Sequence, residues 1–362
     1  MGGPEMAPHT PHAPRPGGAV ALRERVMSSQ PGEGVAPSIV RDAAVLTPPW
    51  GGSMLPGTRD PMEPKVAPID ATLGAVVTNL DLARMDALTW KTVEQAFHDH
   101  AVLVFPGQNL SAEAQVAFAN RFGDIELLAP DPEQKAVAIS NQKPDGSVMA
   151  ADEHRFKSLR GNEGWHTDSS YMPLAAKASV LSAQVVPSAD GETEWADMRA
   201  AYAALDEATR QRIAGLSAHH SLYHSQAKIG HVVQTGGGYG FHTKGAPLRP
   251  LVKVHPVTGR PALYIGRHAY GIPGLDEAES EKLLSDLIDF ACRPPRTYAH
   301  RWQPGDVVIW DNRCVLHRAR PYDYREVRVM RHTRVAGDPA TELAPTHRDD
   351  RAGAYEPSSS NR

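Results

Sequence analysis

Two residues near the middle of the chain, His166 and Asp168, could bind a metal ion together. They lie two positions apart, so in an extended backbone both side chains leave the same face of a strand. A second histidine would complete a set of two imidazoles and one carboxylate. Such a set holds non-haem Fe(II) and leaves coordination positions open for a co-substrate and O₂. A His-x-Asp pattern alone also arises often by chance, so the other residues of the chain must decide.

Two further residues with the right chemistry lie near the end of the chain. His317 follows the strand-like run 306–310 and is the candidate third ligand. Arg328 comes eleven residues later, on what the alternation predicts to be the inward face of a strand. A guanidinium buried there requires an anion, and its planar fork suits a carboxylate. A structural ion pair with Glu326 or Asp323 is the alternative interpretation of Arg328.

The elements around these residues predict a mainly β domain with flanking helices over residues 66–337. Helices are expected at 88–100, with Leu88, Val93, Ala96 and Phe97 buried, and after the caps Ser111, Asp197 and Asp276. Strands are expected at 101–105, 136–139, 178–187, 191–195, 262–265, 306–310 and 325–335. Short strands with helices packed outside favour a double-stranded β-helix, or jelly roll. Because distant strands are neighbours in such a fold, His317 can lie beside His166.

The two ends of the chain have a different composition. Residues 1–65 are dominated by Pro, Gly, Ala and Ser and predict a disordered N-terminal extension, and the polar residues 338–362 predict a flexible C-terminal tail. Five histidines between residues 217 and 250 are expected in a solvated irregular segment: His219, His220, His224, His231 and His242.

Composition narrows the classes of partner. A net charge of −4 predicts neither nucleic-acid nor membrane-surface binding, and no apolar run is long enough for a membrane span. Two cysteines cannot form a disulfide framework and favour a reduced, cytoplasmic setting. A small molecule is therefore the expected partner, and homo-oligomerisation stays open.

Several stretches together resemble the taurine/2,4-dichlorophenoxyacetate family of Fe(II)- and 2-oxoglutarate-dependent dioxygenases. The resemblance extends from about residue 66 to residue 337. It is carried by residues 165–170, 180–183, 197–202, 300–302 and 310–318.

The resemblance implies a role for each site residue. His166, Asp168 and His317 match the iron ligands, Thr193 and Arg328 match the residues that bind 2-oxoglutarate, and Asn162 matches a position near substrate and co-substrate. The implied reaction is hydroxylation of a small, carboxylate-bearing, aryloxyalkanoate-like substrate with O₂, releasing succinate and CO₂; ascorbate would serve as reductant in assays. Asp168 favours hydroxylation, because halogenating relatives lack this carboxylate. Thr193 could instead satisfy a turn.

One position departs from the family pattern. Fifteen residues after His317, where many relatives carry an arginine that holds the substrate's anionic group, this chain has His332. Because a free histidine titrates near neutrality, anionic substrates are expected to bind less well as pH rises from about 6 to 8. The alternative interpretation is that His332 only hydrogen-bonds a neighbouring strand. Three alternatives stay open: a sulfonate or sulfate-ester dioxygenase of the same family, a non-catalytic jelly-roll binding or regulatory protein, and a cupin-like zinc hydrolase. The zinc hydrolase is disfavoured, because an arginine eleven residues after His317 has no role in such an enzyme.

Overall fold

The computed structural model describes residues 63–353, so most of the predicted disordered extension lies outside the described residues. The strands are β1 (Lys65–Pro68), β2 (Ala75–Thr78), β3 (Val102–Phe105), β4 (Val137–Ser140), β5 (Ala176–Val185), β6 (Thr193–Asp197), β7 (Ser217–His220), β8 (Ala246–Pro250), β9 (Val252–Val254), β10 (Pro261–Leu263), β11 (Ala269–Tyr270), β12 (Thr297–His300), β13 (Val307–Asp311), β14 (Val315–Ala319), β15 (Val329–Ala336) and β16 (Thr346–His347). The helices are α1 (Ala87–His100), α2 (Ala112–Asn120), α3 (His154–Gly161), α4 (Met198–Ala204), α5 (Glu207–Ile213), α6 (Leu222–Ala227), α7 (Glu277–Ala291), α8 (Pro339–Glu342) and α9 (Asp350–Gly353). In this part of the chain no helix has both the length and the apolar character needed to cross a membrane.

Two sheets form the centre of the fold. The larger has the strand order β1-β2-β3-β13-β5-β15-β4, and the smaller has the order β12-β6-β14. Apolar side chains of both sheets share one buried cluster, in which Trp195 of β6 contacts Trp310 of β13 with ring centroids 5.7 Å apart. This arrangement confirms the predicted jelly roll with flanking helices.

Helices α1 and α2 cover the outer face of the larger sheet. Their side chains Phe97 and Phe118 share a buried cluster with Val180 and Ile309 of the sheet. The predicted cap Ser111 accepts a hydrogen bond from the Ala114 amide at the start of α2.

The predicted burial of Leu88 in α1 is wrong. Its side chain is 69% exposed, whereas Val93, Ala96 and Phe97 are buried. Leu88 precedes Val93 by five residues, which places it about 140° around the helix from the buried face.

The segment predicted to be irregular contains real secondary structure. Strands β7 and β8 pair within a four-stranded sheet ordered β11-β7-β8-β16, and α6 follows β7. His220 is fully buried beside Tyr264, with ring centroids 5.8 Å apart, and His231 is buried as well. The expectation that the five histidines are solvated is therefore wrong for these two. Strand alternation turns His220 inward, and His231 Nδ1 lies 2.9 Å from the Gln226 side-chain oxygen.

Residues 338–353 make defined contacts, although the composition predicted a flexible tail. Glu342 is buried and forms an ion pair with Lys253, and β16 pairs with β8. The Ser221 hydroxyl donates a hydrogen bond to Asp349 over 2.6 Å. Residues beyond 353 lie outside the described part of the chain.

Candidate active site

Backbone pairing brings two of the predicted ligands together. The His166 amide donates to the His317 carbonyl over 3.0 Å, and the His317 amide donates to the His166 carbonyl over 2.7 Å. This isolated antiparallel bridge joins the loop before β5 to strand β14. The two imidazole rings consequently lie with their centroids 4.1 Å apart.

The predicted triad has the geometry of a metal site. One donor atom from each of His166, Asp168 and His317 lies within 4.8 Å of the others, and all three residues are buried. The His166 Nδ1 lies 2.8 Å from the Gly164 carbonyl, which can only accept. That contact places the proton on Nδ1 and leaves Nε2 free to act as a ligand.

The two oxygens of Asp168 have different surroundings. Oδ2 accepts a hydrogen bond from the Ser179 hydroxyl over 2.6 Å and lies 3.8 Å from His317 Nε2. Oδ1 accepts from Arg334 Nη2, also over 2.6 Å. Burial is the largest single influence and raises the pKa of this carboxyl, but the positive charge of Arg334 and the surrounding imidazoles together outweigh it and hold the pKa below its usual range. Asp168 is therefore ionised at neutral pH.

The two histidines of the predicted triad are neutral. Desolvation by burial lowers the pKa of His166 to about 4 and that of His317 well below its ordinary value. Two neutral imidazoles and one carboxylate are the donor set of non-haem Fe(II) oxygenases, so these residues fit that ion.

Arg328 lies beside the triad with much of its guanidinium unpartnered. Its Nε and Nη2 are buried and have no hydrogen-bond partner among the described residues. The proposed ion pairs with its neighbours are not formed, because Asp323 binds Arg325 and Glu326 accepts from Ser188. Burial lowers the pKa of Arg328 from its high ordinary value. A buried unpaired cation is costly, so this site is built for an anionic ligand.

All seven residues predicted to form the site line one cavity. Its walls are Ile139, Asn162, His166, Asp168, Leu181, Thr193, Trp310, His317, Ala319, Arg328, His332 and Arg334. Thr193 opens strand β6 rather than a turn, and its Oγ1 accepts a hydrogen bond from Trp302 Nε1 over 3.0 Å. The individual roles of Thr193, Asn162 and His332 stay predictions.

His332 is buried beside the Asp168 carboxylate. Its Nε2 lies 3.7 Å from Asp168 Oδ2 and is otherwise without a hydrogen-bond partner in the described chain. Desolvation, reinforced by the adjacent Arg334, lowers the pKa of His332 to about 4. The histidine is thus neutral from pH 6 to 8, which removes the basis for the expected pH dependence of substrate binding.

Arg334 is a site residue that the sequence reasoning missed. Its side chain lines the cavity and pairs with Asp168. The signal was present, because Arg334 has the same strand phase as His332. By contrast, Arg331 binds the Leu110 carbonyl and Gln184 on the opposite face, as its phase predicts.

The family model for the taurine catabolism dioxygenase TauD, TfdA family matches residues 65–334. The chain belongs to this family. Membership confirms the predicted enzyme class, a 2-oxoglutarate-dependent dioxygenase, and disfavours a non-catalytic protein.

Relatives in sequence and structure support the same conclusion. The chain is 54% identical over 288 residues to an (S)-phenoxypropionate/alpha-ketoglutarate-dioxygenase of Sphingobium herbicidovorans, covering 78% of this chain and 98% of that protein. It is 37% identical to an alpha-ketoglutarate-dependent 2,4-dichlorophenoxyacetate dioxygenase of Cupriavidus pinatubonensis, covering 75% of this chain and 97% of that protein. The crystal structure of AAD-2 in complex with Mn(II) and N-oxalylglycine matches with a TM-score of 0.71 at 36% identity, covering 79% of this chain and all of that one.

Proposed function

We propose that this dioxygenase binds Fe(II) through His166, Asp168 and His317 and hydroxylates an aryloxyalkanoate beside its ether oxygen. The co-substrate 2-oxoglutarate would place its C5 carboxylate at Arg328. The observation that carries the proposal is the shared cavity: a compact set of metal donors and a buried guanidinium, two of whose nitrogens have no partner in the described chain, line the same cavity. A diacid whose other end chelates the metal satisfies both features at once.

Different residues of the cavity would hold the different reactants. Bound Fe(II) would supply the redox chemistry that couples O₂ and 2-oxoglutarate to C–H hydroxylation. Because Trp302 already donates to Thr193 Oγ1, the Thr193 hydroxyl can direct its own proton to a carboxylate beside Arg328. Ile139, Leu181 and Trp310 give the cavity apolar walls, which exclude water from the reacting groups.

The proposed substrate class follows from the relatives and from simple chemistry. The relative from Sphingobium herbicidovorans is named for (S)-phenoxypropionate, and this chain spans nearly all of it at 54% identity. Hydroxylation of the carbon between the ether oxygen and the carboxylate gives a hemiketal from a propionate or a hemiacetal from an acetate. Either adduct breaks its bond to the aryl oxygen, releasing a phenol with pyruvate or glyoxylate. The 2-oxoglutarate consumed appears as succinate and CO₂.

Neutral His332 and Asn162 would contact the substrate. A neutral imidazole can exchange a hydrogen bond with a carboxylate or an ether oxygen but adds no charge. The cation nearest to His332 in the cavity is Arg334, which is already paired with Asp168. Shape and apolar contact should therefore contribute much of the selectivity.

The decisive experiment compares substrates with the purified enzyme under Fe(II), 2-oxoglutarate and ascorbate. The panel contains both enantiomers of phenoxypropionate, phenoxyacetate, taurine and an alkyl sulfate ester. We expect phenol release from (S)-phenoxypropionate with one succinate per phenol. Succinate release driven only by taurine or the sulfate ester would overturn the substrate proposal and leave the enzyme class intact.

The proposal extends to a cytoplasmic setting, where the thiols of Cys292 and Cys314, both unpaired in the structure, would stay reduced. Ascorbate is proposed only as an assay reductant.

A further inference from the structure

The Arg334 guanidinium joins the metal-binding carboxylate to the residue that follows it. Nη2 donates to Asp168 Oδ1 over 2.6 Å, and Nη1 donates to the Ser169 hydroxyl over 3.0 Å. Arg334 lies directly opposite Ser179 in the pairing of β15 with β5. Since Ser179 donates to Asp168 Oδ2, two cross-strand partners hold the two oxygens of one carboxylate.

A second set of contacts holds Arg334 in place. The Ser169 hydroxyl lies 2.8 Å from Glu126 Oε2 and 3.0 Å from Tyr239 Oη, and Tyr239 also donates to Glu126. The Arg334 guanidinium lies over the Tyr239 ring, 5.5 Å from its centroid, and its Nε is 4.0 Å from Glu126. Glu126 precedes β4, whereas Tyr239 comes from the segment between α6 and β8, so distant parts of the chain meet at this arginine.

We infer that Arg334 is a positioning residue that keeps Asp168 Oδ1 turned away, so that Oδ2 alone is presented beside the histidine nitrogens, and that Glu126, Ser169 and Tyr239 hold Arg334 for this task. We name the four residues Arg334, Glu126, Ser169 and Tyr239 the carboxylate clamp. The inference rests on the proposed metal site.

The positive charge of Arg334 and its proposed positioning role predict opposite effects on metal affinity when the residue is replaced. As a cation beside the site, Arg334 repels a divalent metal, so removal of its charge alone should tighten metal binding. If Arg334 is a positioning residue, its loss should weaken metal binding, because partners that orient metal ligands typically contribute 10–100-fold to metal affinity. Lysine keeps the charge but cannot reproduce the planar fork that spans Asp168 and Ser169.

The test measures Mn(II) dissociation constants of the full-length protein by titration calorimetry, without turnover. The set comprises wild type, Arg334→Gln, Arg334→Lys, Asp168→Ala and the matched control Arg331→Gln on the opposite face of β15. We expect both Arg334 variants to bind Mn(II) at least about tenfold more weakly than wild type, with Arg331→Gln unchanged. Thermal unfolding of the metal-free proteins is recorded alongside, and Arg334→Lys carries the test if the glutamine variant fails to fold.

The Asp168→Ala variant distinguishes failure of the positioning role from failure of the proposed metal site. Unchanged or tighter Mn(II) binding in Arg334→Gln, with binding lost in Asp168→Ala, would overturn the positioning role and leave the proposed metal site standing. If Asp168→Ala binds Mn(II) like wild type, the metal site itself is wrong.

Tyr239→Phe tests the supporting half of the clamp. It removes the hydroxyl that contacts Glu126 and Ser169, so we expect Mn(II) binding to weaken several-fold in the wild-type background. In the Arg334→Gln background the same substitution should have no further effect, because coupled residues are not additive. An equal further loss there would remove Tyr239 from the clamp.

Discussion

The rings of Trp310 and His332 lie almost parallel, with an angle of 4° between their planes and 6.2 Å between their centroids. Trp310 belongs to β13 and His332 to β15, on either side of β5. The indole helps to exclude water from the imidazole, and desolvation is the main reason that the pKa of His332 is lowered to about 4. His332 therefore carries no charge at neutral pH.

The first prediction concerns stability in acid. Because the pKa of His332 is about 4 when folded and about 6.5 when unfolded, its contribution is complete above pH 6.5 and is lost as pH falls towards 4. Between pH 6.5 and pH 5 the metal-free wild type should lose about 1.5 kcal/mol more unfolding free energy than His332→Gln. Urea denaturation at the two pH values measures this. The exposed His347→Gln control should behave like wild type, and equal losses in all three proteins would contradict the prediction.

The second prediction concerns the proposed metal ligands. His166→Ala, Asp168→Ala and His317→Ala should each abolish Fe(II)-dependent succinate release and weaken Mn(II) binding strongly, because among the described residues the candidate site has these three donors. Activity assays and calorimetry check this, with His347→Ala as the exposed histidine control. Succinate release at the wild-type rate in any of the three would remove that residue from the ligand set.

The third prediction concerns the co-substrate. Arg328→Met should raise the KM for 2-oxoglutarate sharply, since losing a buried charge-assisted pair costs on the order of 2–5 kcal/mol. The fold should survive, because two of the guanidinium nitrogens have no protein partner in the described residues. Arg325→Met, at an exposed arginine paired with Asp323, is the control. An unchanged KM would mean that another cation binds the C5 carboxylate.

The fourth prediction concerns the contact between Thr193 and Trp302. Thr193→Val should raise the KM for 2-oxoglutarate about 2–10-fold, the value of one hydrogen bond. It should also lower the unfolding free energy by about 1–3 kcal/mol, because the buried Trp302 Nε1 loses its acceptor. Thr193→Ser keeps the hydroxyl and should restore both properties. A valine variant with the wild-type KM would restrict Thr193 to a structural role.

The sequence predicted the elements whose signals are local. The caps Ser111, Asp197 and Asp276, each recognisable from its own neighbours, all accept hydrogen bonds from first-turn amides in the structure. The residues of the candidate site were predicted from residue type, from strand phase and from the family resemblance, which together singled out the His-x-Asp pair, His317 and Arg328.

What the sequence could not supply depends on contacts between distant segments. Arg334 has the correct strand phase, but its pairing with Asp168 depends on the register of β15 against β5. The lowered pKa of His332 depends on burial that only packing of two sheets produces. The inward turn of His220 required knowledge that β7 pairs with β8 and β11.

Successive positions of strand β15 face opposite sides of the sheet, so substitutions along it should have two kinds of effect that alternate from one residue to the next. Met330, His332 and Arg334 face the interior between the sheets, whereas Thr333 and Val335 face α2 and the apolar layer beneath the helices. A saturation scan of this one strand should therefore alternate: substitutions at 332 and 334 change substrate range or metal loading, and substitutions at 333 and 335 reduce soluble yield. Libraries for altered substrate scope can be confined to the first set, because the second can change the amount of enzyme but not its choice of substrate.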